Sequence, residues 1–106
     1  MRRGDVFSVA APRGQRGHEQ RGSRYGVVVQ ADELLVLSTV VVAPTSTAAR
    51  PATFRPEVTI RGRRTRVLVE QLAAVAPERL GRPAGRLSRL ELAAVDDALA
   101  VVFGLD

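Results

Sequence analysis

Apolar residues along the chain change their spacing about two thirds of the way through. Up to residue 72 they come in short runs. "DVFSVA" (5–10) alternates, with Phe7 and Val9 on one side and Val6 and Ser8 on the other. "YGVVVQA" (25–31) and "LSTVVVAP" (37–44) are β-branched runs of buried-strand length. "ATFRPEVTIRG" (52–62) alternates too, but Pro56 removes a backbone donor, which predicts an edge strand or a bulge. "RTRVLVEQL" (64–72) is a fifth strand candidate. Turn formers separate these runs, as in "PRGQRG", "ADEL", "TSTAARP" and "RGRR". Five short strands at roughly ten-residue spacing predict a small barrel or a strongly bent sheet.

The last third changes period. Over 88–104, Leu92, Val95, Leu99 and Val102 recur at helical spacing, with Asp96 and Asp97 on the polar face. Ser88 and Glu91 match the Ser-x-x-Glu capping box, and Gly104 is a candidate C-cap. "PERL" (77–80) predicts a short helical turn before "GRPAG". The fold class is mainly β with a C-terminal helix packed on a small barrel.

A length of 106 residues suits one domain, 1–106. The absence of cysteine excludes disulfides, four-cysteine zinc sites and thiol nucleophiles. A single histidine, His18, excludes two-histidine metal sites and argues against any metal centre. The N-terminal "MRRGDVFSV" lacks the apolar core of a signal peptide, and no apolar run approaches the roughly 20 residues of a membrane helix. A soluble cytoplasmic protein with no membrane partner is the expectation.

Charge sharpens this picture. All 16 basic residues are arginine, which fits a GC-rich genome as readily as a function. Their distribution says more. Residues 1–66 hold 12 arginines against 5 acids, a balance of +7, whereas residues 67–106 hold 4 against 6, a balance of −2. A basic half is the electrostatic footprint of a polyanion binder, and arginine forks onto phosphate. Aromatic residues are scarce, so an aromatic platform for base stacking is not supported.

Three places could carry chemistry. In "RGHEQRGSRYGVVVQAD" (16–32) a polar, glycine-bearing segment meets an apolar strand, and Arg24 is the last polar side chain before Tyr25 and the valines. A guanidinium on so stiff a mount can stabilise charge developing on a phosphorane without reorganising; taken alone, the plainer reading is a surface arginine beside a strand. In "APTSTAAR" (43–50) a buried strand ends at Pro44 and is followed by Thr45, Ser46 and Thr47. These hydroxyls suit a phosphate contact, or ordinary turn chemistry. In "VEQLAAV" (69–75) Glu70 and Gln71 interrupt an apolar segment and either need buried partners or mark a strand end.

Together, the order and spacing of these motifs are specific. The chain resembles the MazF/PemK family of toxin–antitoxin endoribonuclease toxins. The resemblance rests on Arg2-Arg3-Gly4-Asp5-Val6, on Gly17-x-Glu19-Gln20-x-Gly22-x-Arg24 leading into Val27-Val28-Val29, and on Val41-Val42-Ala43-Pro44-x-Ser46. Glu70-Gln71-Leu72 with Val75 and Arg79-Leu80, and the terminal helix, extend it over almost the whole chain.

That resemblance implies an SH3-like β-barrel of the MazF/PemK/CcdB type, a homodimer, and metal-independent, cofactor-free cleavage of single-stranded RNA at short sequences. It implies a cognate antitoxin whose acidic disordered tail covers the basic cleft. The catalytic arginine falls on Arg24, the catalytic hydroxyl on Ser46, and a supporting glutamate on Glu19. His18, Gln20, Thr45, Thr47 and Gln71 are expected to contact the substrate, with proton transfer falling to His18 or Glu19. This chain departs from the family pattern at Tyr25, where proline normally follows the arginine, at Phe7 and Ser8, and at Arg64, where some members carry an acid. The competing readings are a non-catalytic SH3-like nucleic-acid-binding module and a CcdB-like toxin directed at gyrase.

Overall fold

The computed structural model describes residues 1–9 and 24–105. Among these, seven antiparallel strands build one strongly bent half-barrel: β1 (Asp5–Val9), β2 (Tyr25–Val28), β3 (Val40–Ser46), β4 (Glu57–Ile60), β5 (Arg63–Val67), β6 (Ala73–Val75) and β7 (Leu80–Arg86). The pairing order is β4-β5-β3-β2-β1-β7, with β6 also on β3. The helix α1 (Arg89–Phe103) follows. The expected mainly β fold with a C-terminal helix is therefore what forms. No helix among the described residues is long and apolar enough to cross a membrane.

β3 is the spine of the sheet. One edge pairs with β2 through Val42–Pro44. The other pairs first with β6 through Val40–Val42 and then with β5 through Thr45 and Ser46. Pro44, which has no N–H, sits where the second edge changes partner, and its carbonyl accepts from the Leu68 amide at 2.8 Å.

Residues paired across an antiparallel ladder share a face, so the register sorts side chains into two layers. Val6, Val27, Ala43, Val58, Ile60, Val67 and Val69 bury against Val95 and Ala98 of α1. On the opposite face Val28, Val40 and Val42 pack with Phe7, Leu35, Val75 and Leu80. The central strands are thus apolar on both sides, which is why they read as continuous valine runs rather than as alternation.

Local chemistry fixes the ends. Ser88 caps α1: its Oγ accepts from the Glu91 amide at 3.1 Å, and Glu91 Oε1 accepts from the Ser88 amide at 2.8 Å. Glu91 Oε2 accepts from the Thr59 amide at 2.8 Å, so the same carboxylate ties the helix to edge strand β4. Gly104 closes the helix with φ +65°. Arg3 links three elements, donating from Nε to the Val29 carbonyl at 2.8 Å and from its backbone amide to Asp32 at 2.6 Å, and pairing with Asp96 at 2.6 Å. The buried Gln30 closes the 31–39 loop, donating to the Leu34 carbonyl and accepting from the Val41 amide.

Four sequence expectations change. Seven strands are found where five were expected. Pro44 does not end its strand; β3 continues to Ser46. The 64–72 segment stops being a strand at Val67 and turns into a 3-10 helix at Val69–Gln71. "GRPAG", not among the expected strands, is part of β7, which pairs with β1 through an irregular register around Phe7. Pro56 lies just before β4 and the strand is an edge, as its proline suggested. "PERL" contains the expected turn, at Pro77–Arg79.

Candidate nucleic-acid groove

Arg24 immediately precedes β2, and its carbonyl accepts from the Val9 amide at 3.0 Å, which ties its backbone to the end of β1. Arg24 lines a cavity of about 230 Å³. Val9, Gly26, Val42, Pro44, Ala73 and Val75 make the cavity's apolar lining; Arg24, Gln71 and Arg79 are its polar residues, with Tyr25 beside them. The Nε of Arg24 is buried and has no hydrogen-bond partner among the described residues. A buried donor left without an acceptor costs free energy.

Ser46 does not line this cavity. It lies two residues beyond Pro44 on β3, and strand alternation puts both on one face. Ser46 pairs with Arg66 of β5, and its Oγ accepts from the Ala48 amide at 3.2 Å. The register therefore gives Arg24's cavity and the Ser46 hydroxyl a common side of the sheet.

Thr45 is only 4% exposed and pairs with the buried Val67, so its side chain belongs to the core layer and not to the side that carries the cavity. Thr47 is exposed just past the end of β3. Gln71 is brought into the cavity by the 3-10 turn. His18, Glu19 and Gln20 lie outside the described residues.

Glu70, the neighbour of Gln71, turns to Arg55, whose Nε and terminal nitrogen donate to Oε2 at 2.9 and 2.6 Å. Burial would raise the Glu70 pKa, but the Arg55 hydrogen bonds and charge overcome this and hold it below its ordinary value. Arg55 also lies 5.5 Å over the Phe54 ring. This clamp fixes the turn that presents Gln71.

Arg79 was assigned no role from the sequence. Only the docking of β6 on β3 carries the following 3-10 turn to the cavity, and no local signal in "PERL" reports that.

Residues 2–103 match the family described as PemK-like, MazF-like toxin of type II toxin–antitoxin system. A candidate toxin of Mycobacterium tuberculosis is 43% identical over 104 residues, covering 97% of both chains. Endoribonuclease MazF9 of the same organism is 36% identical over 110 residues, covering 93% of this chain and 92% of its own. In structure, a mycobacterial endoribonuclease solved with its cognate antitoxin superposes with a TM-score of 0.84 at 17% identity, over 100% of this chain and 97% of that one. With sequence similarity running through nearly its whole length, the chain belongs to the PemK-like, MazF-like toxins of type II toxin–antitoxin systems.

Proposed function

We propose that this toxin is a metal-independent, sequence-selective endoribonuclease that cleaves single-stranded RNA. The observation that carries the reading is Arg24: its backbone is tied to β1, its buried Nε has no partner among the described residues, and it lines a cavity on the same side of the sheet as Ser46. The name of the MazF9 relative supports the same activity.

RNA brings its own nucleophile. The 2′-hydroxyl oxygen attacks the adjacent phosphorus, the bond to the 5′ oxygen breaks, and that oxygen leaves with a proton. One product ends in a 2′,3′-cyclic phosphate, or in a 3′-phosphate once water opens the ring, and the other begins with a 5′-hydroxyl. Arg24 neutralises the phosphorane oxygens, and Ser46 donates a hydrogen bond to the same group or to the leaving oxygen. His18 or Glu19 handles the proton. Gln71 offers an amide to a base edge, which contributes to sequence choice.

The protein works as a homodimer in the cytoplasm and is silenced by a cognate antitoxin. An acidic disordered tail matches the basic groove in charge, and the structural neighbour solved with its antitoxin supports such a partner. The test is to incubate the purified protein with a long defined RNA in the presence of a chelator and to map new 5′ ends. Cuts at one repeated short sequence, each leaving a 5′-hydroxyl, are expected. Intact RNA under all conditions overturns the reading in favour of a non-cutting binding module.

A further inference from the structure

The side of the sheet that carries the cavity and Ser46 extends onto the β4–β5 hairpin. Ser46 pairs with Arg66, Arg66 pairs across β5 with Glu57 of β4, and Arg64 pairs with Thr59. These five residues therefore share one face of the sheet. The alternate positions Thr45, Val67, Thr65, Val58 and Ile60 are all buried on the core side. The β4–β5 hairpin thus presents one core face and one outward face, and the outward face is continuous with the side that carries Pro44 and the cavity.

Its charge is lopsided. Glu57 is the one acid on this face of the hairpin, and it is shared by two arginines at long range: 3.5 Å to Arg64 and 3.6 Å to Arg66. The Arg64 side chain is 80% exposed, so its pair with Glu57 contributes little and gives way readily to a better anion. Arg66 is held in place by donating to the Arg55 carbonyl at 2.9 Å. Lateral strand spacing of roughly 4.8 Å and an axial rise of roughly 3.4 Å per residue put Arg64 about 8 Å from Ser46 at the backbone.

We propose that the outward face of the β4–β5 hairpin is a phosphate-binding extension of the groove, where Arg64, backed by Arg66, takes an RNA backbone phosphate next to the one being cleaved. The inference rests on the nuclease reading for the identity of the polyanion. A second phosphate on a forked guanidinium, on the same side of the sheet as Arg24, fits a nucleic-acid strand better than the irregular charges of an acidic peptide.

The test compares full-length wild type, Arg64→Ala, and Arg89→Ala. The last removes an exposed arginine from the start of α1, on the core side of the sheet. Binding of a single-stranded 20-mer with the substrate's base sequence, 2′-deoxy throughout so that it is not cut, is followed by anisotropy from low to high salt. Arg64→Ala should flatten the plot of log affinity against log salt by about 0.7, which is about fivefold in affinity at 0.1 M salt. Arg89→Ala should leave the slope unchanged. On cleavable RNA, Arg64→Ala should raise KM by a similar factor with kcat unchanged, because the reacting phosphate stays on Arg24. An unchanged slope, an equal effect of Arg89→Ala, or a loss confined to kcat overturns the proposal. So does weakened binding of a glutamate-rich peptide with RNA binding intact. Failure of the nuclease reading shows separately, as wild-type protein that binds RNA and never cuts it.

Discussion

Gly26 sits at the floor of the groove, where a single methyl group meets a measurable obstacle. A Cβ built at this position lies 2.8 Å from Val9 Cγ2, with the Val42 Cβ and Cγ2 at 3.5 Å. Carbon atoms prefer roughly 3.5–4.0 Å, so Val9 must retreat by about 1 Å. Val9 is β-branched and stiff at χ1, and it ends the strand whose amide holds the Arg24 carbonyl. Overpacking of this kind costs about 1–3 kcal/mol. Gly26→Ala should therefore lower the free energy of unfolding in urea by that amount. The double variant Gly26→Ala/Val9→Ala removes the colliding methyl and should recover part of the loss, with a coupling energy of about 0.5–3 kcal/mol in the double-mutant cycle. If Gly26→Ala costs less than about 0.5 kcal/mol, or if the two effects simply add, the close approach drawn here is wrong.

Other consequences follow from the same contacts. Glu91→Ala deprives both the Ser88 and Thr59 amides of an acceptor, so it should cost about 2 kcal/mol in urea unfolding, against about 1 kcal/mol for Ser88→Ala; equal costs would mean the link to β4 carries no energy. Acid should destabilise the protein through Glu70 and Asp5. Asp5 is also held below its ordinary pKa, because burial, which would raise it, is outweighed by the Arg2 amide and by Arg86, whose guanidinium lies 2.7 Å away. A depressed folded-state pKa contributes stability that is complete above the ordinary values of 4.5 for Glu70 and 3.8 for Asp5 and is lost as pH falls below them. Urea midpoints should therefore decline below that range, and less steeply in Glu70→Gln than in wild type.

The sequence disclosed what is local and hid what is not. The capping box of Ser88 and Glu91 was legible because both partners lie within one helical turn. The valine runs announced buried strands for the same reason. Phase was harder. In "VVVAPTS" both faces of β3 are apolar, so alternation could not say that Thr45 points to the core while Ser46 points to the groove side. Pro44 read as a stop because its exemption depends on β3 changing partner there, from β6 to β5. β7 was missed because Pro83 and Gly85 look like turn residues and its partner, β1, lies at the other end of the chain. Gln71 stands out in its motif as a polar break in an apolar segment, but Arg55, which anchors the neighbouring Glu70 from 15 residues away, leaves no mark in the sequence pattern.

The central claim is that the Arg24 guanidinium stabilises the reacting phosphate. Its most direct measurement is the single-turnover cleavage rate of Arg24→Ala on a mapped RNA site, alongside the affinity of the same variant for the 2′-deoxy strand. Losing one preorganised donor should slow cleavage by about 10²–10³, equivalent to about 2.7–4 kcal/mol. Affinity should fall by no more than one phosphate contact, about fivefold at 0.1 M salt. An Arg24→Ala protein that cuts within about threefold of the wild-type rate would contradict the account, since no fixed charge at the phosphorane would then have been removed.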